Sequence, residues 1–324
     1  MHRRSLLVSS AAMLAAAPFP LFAQAAYPNR PVRMIAPFPP GGTSDVLSRL
    51  LAQKMSEGLG QAVTVENRPG AAANIGHELA ARAPADGYTL ILSNSSTFVT
   101  NPHLYKKMPF DPVNDFAPVS MVASAGQVLV VHPSVPANSV AELIALAKAK
   151  PNLLNFGSGG VGIQSHISGE MFKSQAGVNM VHVPYKGTIQ AVTDCVAGQV
   201  QLVFSDMVPA MPQIRGGKLR ALAVTSLKRA AVLPEVPTLH ELGLPGFDSG
   251  VWWAVLAPRG TPAAIIERLN QELARVLKAP EVVAKYADIG LAVEYSTPQA
   301  VHALAKKQAP EMAQILKAAG VEPE

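Results

Sequence analysis

The sequence predicts an α/β protein of two lobes joined by two crossing strands, and three observations carry that prediction. Short apolar runs that read as buried strands alternate with stretches of helical spacing along most of the chain, the pattern of parallel sheets covered on both faces. Two Pro-rich stretches, YKKMPFDPVNDFAPV and LPEVPTLHELGLPGFDSG, interrupt this alternation, and each leads into an apolar run, QVLVVHP and VWWAVLAP, after which the pattern resumes. The chain of 324 residues is longer than a single core usually supports.

In order, the strand-like run PVRMIAPF precedes a helix over 43–58, QAVTVEN precedes a helix over 74–82, and YTLILSN follows. The series continues with QVLVVHP, a helix over 139–150, LLNFGS, a helix over 164–176, VNMVHVPY, a helix over 188–197, VQLVFSD, a short helix near 208–216, and LRALAVTS. The last part is almost wholly helical and opens twice at a Thr-Pro start, where Pro suits the first helical turn. Residues 26–125 with 251–324 are assigned to the first lobe and 126–250 to the second.

The N-terminus reads as an export signal: basic HRR, an apolar stretch, and AQA as a site for cleavage after Ala25, so 1–25 leave the fold. RRSLLVS also matches a twin-arginine signal, and the export route stays open. The formal charge of +5 becomes +3 once Arg3 and Arg4 are removed. With no Lys/Arg block, a nucleic-acid or polybasic membrane role has no footprint. The one cysteine, Cys195, lies on the apolar side of a helical pattern and reads as a buried hydrophobe. Trp252 and Trp253 read as packing residues on the second crossing run.

Ligands of open α/β sheets sit beyond the carboxyl ends of the strands. Three loops there stand out. PFPPGGTSD leads into the first helix, whose N-terminus offers unpaired N–H groups and a partial positive charge. Gly41 and Gly42 let a ligand approach the backbone, and Thr43, Ser44 and Asp45 can cap or donate. SNSSTFVTNP, from Ser93 to Pro102, offers hydroxyls and amides without charge, and FGSGGVGIQSH, from Phe156 to His166, again runs from strand to helix. All three suit a carboxylate held by neutral donors, and each is also readable as an ordinary turn.

Other chemistries fit less well. Gly157, Gly159 and Gly162 match the dinucleotide spacing G-x-G-x-x-G, but the acidic residue needed some 20 positions on is missing, the next one being Asp194. The histidines show no zinc spacing, so neither a metal nor a cofactor is expected. Ser158 and His166 are the wrong distance apart across a helix start to serve as nucleophile and base.

Read together, YPNRPVRMIAPFPPGGTSDVLSRLLAQKM, VENRPGAAANIGHELAARAPADGYTLIL, NPHLYKKMPFDPVNDFAPVS, HVPYKGTIQAVTDCVAGQVQLVFSD and GKLRALAVTSLKRAAVLPEVPTLHELGLPGF resemble the Bug family, the extracytoplasmic solute-binding receptors of tripartite tricarboxylate transporters. The resemblance covers essentially the whole chain after the signal. It implies a type II periplasmic-binding-protein fold, closing around a small organic acid and delivering it to membrane subunits, in a monomeric, non-enzymatic periplasmic protein. The matching positions are Phe38, Pro40, Gly41, Gly42, Thr43 and Asp45 in the first loop and Ser93, Asn94, Ser95, Ser96, Thr97 and Phe98 in the second. The second lobe supplies Ser158, Gly159, Val161, Ile163, His166, Tyr185 and Asp206. Where relatives often carry polar side chains, this chain has Phe98, Val161 and Ile163. If these face the cleft, a monocarboxylate with an apolar or aromatic body is favoured over a dicarboxylate. Ser205, where aspartate is frequent, stands beside Asp206. A sensor passing ligand occupancy to a signalling partner shares the fold, and an exported enzyme is the competing class.

Overall fold

A computed structural model describes residues 27–318 together with 321 and 323; the expected signal over 1–25 lies outside the described residues. Strands β1 (Val32–Ala36), β2 (Val63–Asn67) and β3 (Thr89–Asn94) alternate with helices α1 (Thr43–Leu59) and α2 (Asn74–Ala81). The chain then runs through α3 (Ser95–Val99), α4 (Asn101–Leu104), the long strand β4 (Phe116–Val131), α5 (Val140–Ala149), β5 (Asn155–Ser158) and α6 (Gln164–Ala176). It continues as β6 (Val181–Pro184), α7 (Thr188–Val196), β7 (Leu202–Asp206), α8 (Met207–Arg215) and β8 (Arg220–Val224). Strand β9 (Gly250–Pro258), α9 (Ala263–Lys278), α10 (Pro280–Asp288), β10 (Ala292–Val293) and α11 (Pro298–Ala318) complete it.

The first sheet has the order β2-β1-β3-β9-β4-β10, with β1 parallel to both β2 and β3 and β9 antiparallel to its neighbours. The second has the order β8-β4-β7-β5-β6, with β5 parallel to β6 and β7. Strand β4 belongs to both. Its residues Phe116–Gly126 pair with β9, and Gln127–Val131 pair with β7. The chain returns at the same level, where Thr225 N–H donates to the Gln127 carbonyl at 2.9 Å, Ser249 N–H donates to the Thr225 carbonyl at 2.9 Å, and Gly250 pairs with Gly126. The two connections therefore lie side by side and form one hinge.

Each sheet is covered on both faces. In the first, Leu47, Leu51 and Met55 of α1 recur every fourth residue and pack with Leu269 and Leu273 of α9 and Tyr286 of α10. The opposite face carries Phe98 and Val99 of α3 with Val301, Ala305 and Met312 of α11. Each such buried side chain contributes about 1.5–3 kcal/mol by leaving water. Helix α1 ends where Gly60 takes φ +67°, the left-handed cap that glycine accepts without a Cβ penalty. Cys195 is a free, fully buried side chain among Val192, Val200 and Val203, and burial pushes its thiol up to about 12. It is packing, as its pattern implied.

Three features differ from the sequence reading. Strand β4 begins at Phe116, inside the stretch read as Pro-rich connection, because Pro118 sits where the register to β9 shifts, a place in a strand that tolerates a missing N–H. SNSSTFVTNP folds into two short helices, and the C-terminal helical region contains the two-residue strand β10.

Candidate functional site

A small cavity of about 30 Å³ lies between the two lobes. Phe38, Gly42, Thr43, Ser44, Asn94 and Trp253 line it from the first, and Ile163, Gly187, Thr188, Ile189 and Asp206 from the second. Two helix starts meet there. Gly42, extended and without a side chain, precedes α1, and Gly187 precedes α7; neither helix has a side-chain cap. Their first-turn N–H groups are the donors a helix leaves unpaired, apart from the Gln190 N–H of α7, which donates to the Gly187 carbonyl at 3.1 Å, and each dipole adds about half a positive charge. Among the described residues, no Lys, Arg or His lines the cavity.

The lobes touch across it. Thr43 Oγ1 donates to Asp206 Oδ2 at 3.2 Å, and Phe38 and Ala73 pack with Ile163. A Cβ on Gly187 would stand 2.7 Å from Pro39 Cδ, and one on Gly162, at φ +81°, would stand 2.5 Å from Leu104 Cδ1. Glycine at these two places is what permits so close an approach.

Among the described residues, Asp206 is the one ionisable group in the lining. Gln127 Nε2 donates to its Oδ1 at 3.1 Å, so the carboxyl is held from the hinge strand and aimed into the cavity. Burial pushes its pKa above the usual carboxylate range, against the pull of the Gln127 and Thr43 donors. Ser205 instead donates to the Asp206 carbonyl, so the acidic contact falls to Asp206.

Asp45 turns away from the cavity. Its carboxylate accepts from Gly41 N–H at 3.0 Å, Asn67 Nδ2 at 2.9 Å and Arg49 Nε at 3.1 Å. Burial alone would raise its pKa, but the bonds from Arg49, Gly41 and Asn67 and the Arg49 charge hold it below the ordinary value. Asp45 thus fastens the loop whose exposed tip is Pro40 and Gly41, the latter at φ +81°.

The second loop divides. Asn94 reaches the cavity, and Asn94 Oδ1, Ser96 Oγ and Thr97 Oγ1 are buried without hydrogen-bond partners among the described residues. Ser93 Oγ is held by His77 Nε2 at 2.7 Å. Because His77 Nδ1 lies 2.9 Å from the Ala73 carbonyl, that nitrogen carries the proton and Nε2 accepts from Ser93. Burial pushes the His77 pKa down to about 4. Ser95 faces a different, rear groove.

Several residues singled out from the sequence do not reach the cavity. Phe98 packs against Trp252 with centroids 5.6 Å apart and ring planes tilted by 33°, and Val161 packs against the same apolar cluster, so of the three residues read as an apolar pocket only Ile163 lines it. Helix formation over Ser95–Val99 rotates Phe98 to the rear. The amides of the glycine loop are used locally: Gly159 donates to Ser165 Oγ at 2.9 Å, Gly160 to Ser158 Oγ at 3.1 Å and Gly162 to His166 Nδ1 at 3.2 Å. They are therefore not free donors for a carboxylate or a pyrophosphate. Ser158 Oγ lies 2.6 Å from His182 Nε2, and His166 and His182 stack at 4.0 Å. Burial, aided by His182 and Lys173, pushes His166 down to about 3, and burial with Lys173 pushes His182 down to about 4. Tyr185 OH donates to Asp194 at 2.8 Å beside α7 rather than in the cavity.

Gly187, Thr188, Ile189 and Trp253 were missed as cavity residues. Gly-Thr before a helix repeats the logic of Gly-Gly-Thr before α1 and was legible as such; Trp253 differs from Trp252 only by facing the other side of β9, which sequence alone does not orient.

Residues 47–321 match the family described as the tripartite tricarboxylate transporter family receptor. The chain belongs to this receptor family. Among its relatives, protein BugT of Bordetella pertussis is 41% identical over 273 residues, 84% of each chain. An R. palustris protein solved with adipate is 36% identical with a TM-score of 0.90, over 92% of this chain and 100% of that one. MatC from Rhodopseudomonas palustris, solved with bound malate, is 30% identical with a TM-score of 0.84, over 90% of this chain and 100% of that one. The receptor thus has the two-lobed α/β fold of periplasmic binding proteins, and the family places it among periplasmic solute-binding receptors.

Proposed function

We propose that this receptor closes its lobes over a small organic acid and delivers it to the membrane subunits of a tripartite transporter. The observation that carries the reading is the interlobe cavity lined by two uncapped helix starts and by no cation. Such a site holds a carboxylate by neutral donors, which bind anions at helix N-termini without a counter-charge. A ligand that touches both lobes binds the closed form better than the open one and so draws the equilibrium toward closure.

The ligand class proposed is a short dicarboxylate, one carboxylate toward α1 and the other toward α7. The case for a monocarboxylate with an apolar body rested on three side chains, two of which lie elsewhere, whereas the adipate and malate of the related structures are dicarboxylates. Asp206 favours a ligand that brings a hydroxyl donor near it. A monocarboxylate is the second reading, supported by Phe38, Ile163 and Trp253 in the lining.

The test is a thermal-shift screen of protein unfolded and refolded to strip bound ligand, against dicarboxylates, hydroxy-dicarboxylates, aromatic monoacids and neutral analogues. A ligand at a hundredfold its Kd adds about 2.7 kcal/mol of stability. Stabilisation by dicarboxylates supports the proposal, stabilisation confined to apolar monoacids selects the second reading, and no response to any acid rejects both.

A further inference from the structure

Given the dicarboxylate reading above, on which this inference rests, we propose that the cleft captures the acid as its hydrogen monoanion. One proton is taken from solvent on binding and shared between Asp206 and the ligand carboxyl held at the start of α1.

Asp206 stands at the N-cap of α8, yet its side chain makes no cap hydrogen bond to that helix. The carboxyl turns into the cleft instead, where it accepts from Gln127 Nε2 at 3.1 Å and from Thr43 Oγ1 at 3.2 Å. Both donors are uncharged. Gln127 is fixed in turn, because its Oε1 accepts from Ser168 Oγ at 2.7 Å and its Nε2 is left to face Asp206. Thr43 is the first residue of α1, so an acid group on the first-turn amides of that helix comes close to Asp206 Oδ2.

No neighbouring charge offsets this arrangement among the described residues. On α1, Asp45 and Arg49 bind each other away from the cavity. Lys186, before α7, is exposed, and Asp194 on α7 accepts from Tyr185 OH. The charged residue of α8, Arg215, lies in its last turn and donates to the Asp288 carbonyl, and on α6 Glu170 pairs with Lys173. Strands β4, β7 and β9 carry no charged residue besides Asp206. The starts of α1, α7 and α8 supply about half a positive charge each, against the three negative charges of Asp206 and a dianion. Two carboxylates close together in a site that excludes water do not both ionise. Burial already pushes the Asp206 pKa above the usual carboxylate range, and a proton placed between the two groups turns their repulsion into a charge-assisted hydrogen bond.

Calorimetry in buffers of differing ionisation enthalpy counts the protons taken up per ligand bound. The probes are succinate, malate, glutarate and adipate, with the monoamide of whichever binds tightest. More than about half a proton per diacid is expected at pH 6.5, with Kd rising by up to about tenfold per pH unit until uptake ceases. His77, His166 and His182, held neutral by burial down to about 4, 3 and 4, do not titrate in that range. The monoamide, whose N–H replaces the shared proton, is expected to bind without uptake and with the same Kd from pH 6.5 to 8. Asp206→Asn is expected to bind the diacid without uptake, and about tenfold or more tighter than the unaltered protein at pH 8. Thr43→Val, which removes a donor to the ionised carboxyl, is expected to move the pH at which uptake ceases upward by about one unit; it serves as the variant of record if Asp206→Asn fails to fold. Binding of a diacid with no uptake at pH 6.5, uptake undiminished in Asp206→Asn, or an unmoved limit in Thr43→Val overturns the proposal and leaves the dicarboxylate reading standing. Failure of all four diacids to bind rejects that reading and this proposal together.

Discussion

Replacing Asp45 by alanine tests whether the first loop is held for binding by an acid that never touches the ligand. The substitution leaves the Gly41 amide and one Asn67 amide hydrogen without their acceptor and releases Arg49. Hydrogen bonds to a charged group contribute about 1.5–3 kcal/mol each, and the two donors, Gly41 at the exposed tip and the half-buried Asn67, place each at the lower end. The Arg49 side chain is 55% exposed, so its ion pair adds under about 1 kcal/mol. The expected loss of stability is about 3–4 kcal/mol, read as a lower urea midpoint. Part of this ordering must be restored on binding, because the freed loop carries the α1 start. The Kd for a carboxylate is expected to rise about 10–100-fold, or about 1.4–2.7 kcal/mol, by calorimetry. The sign of the pH dependence is fixed by the lowered pKa: the stabilisation is present above the ordinary aspartate range and is lost as pH falls through the native value. An unchanged Kd in Asp45→Ala, or a stability loss under about 1 kcal/mol, refutes the reasoning.

Gly187 is extended, at φ 178°, so valine fits its backbone, but the Cβ meets Pro39 across the cleft. Gly187→Val is expected to fold normally, to weaken the carboxylate about tenfold or more, and to keep its larger scattering radius when ligand is added. Ala71 is exposed with φ +46°, a left-handed conformation that costs an alanine more than a glycine; Ala71→Gly is expected to raise unfolding stability by about 0.5–1 kcal/mol, measured in urea. His77 and His166 are held neutral in the fold, down to about 4 and about 3, while the unfolded chain protonates them near pH 6.5. The unfolded state therefore binds more protons in that window, and stability must fall as pH drops from about 6.5 toward 4, with these two histidines contributing a slope of about 2.7 kcal/mol per pH unit near pH 5 and His182, pushed down to about 4, adding to it. His77→Gln is expected to lower the slope by about 1.4 kcal/mol per pH unit.

Strand and helix alternation made the fold legible because buried parallel strands read as continuous apolar runs and helices start at Pro, Ser or Thr; the helix expected over 164–176 is α6 to the residue. What could not be read depends on orientation rather than on pattern. SNSSTFVTNP holds no apolar periodicity, yet it winds into helix and sends Asn94 to the cleft, Ser95 to the rear and Phe98 against Trp252. Pro118 looked like a break and is a bulge within a crossing strand. The glycine loop looked like a set of donors, but its amides are taken by Ser158, Ser165 and His166, partners whose reach across the loop no spacing announces. Gln127 carries no signal at all, since its role depends on where β4 changes sheets.

The most direct test of the account is a crystal structure of the refolded protein with the acid that stabilises it most. The account predicts the acid between the lobes, with one carboxylate within hydrogen-bond distance of the first-turn amides of α1 and Asp206 facing the same chamber. An acid held instead by a lysine or arginine side chain, or found behind the hinge, would contradict it.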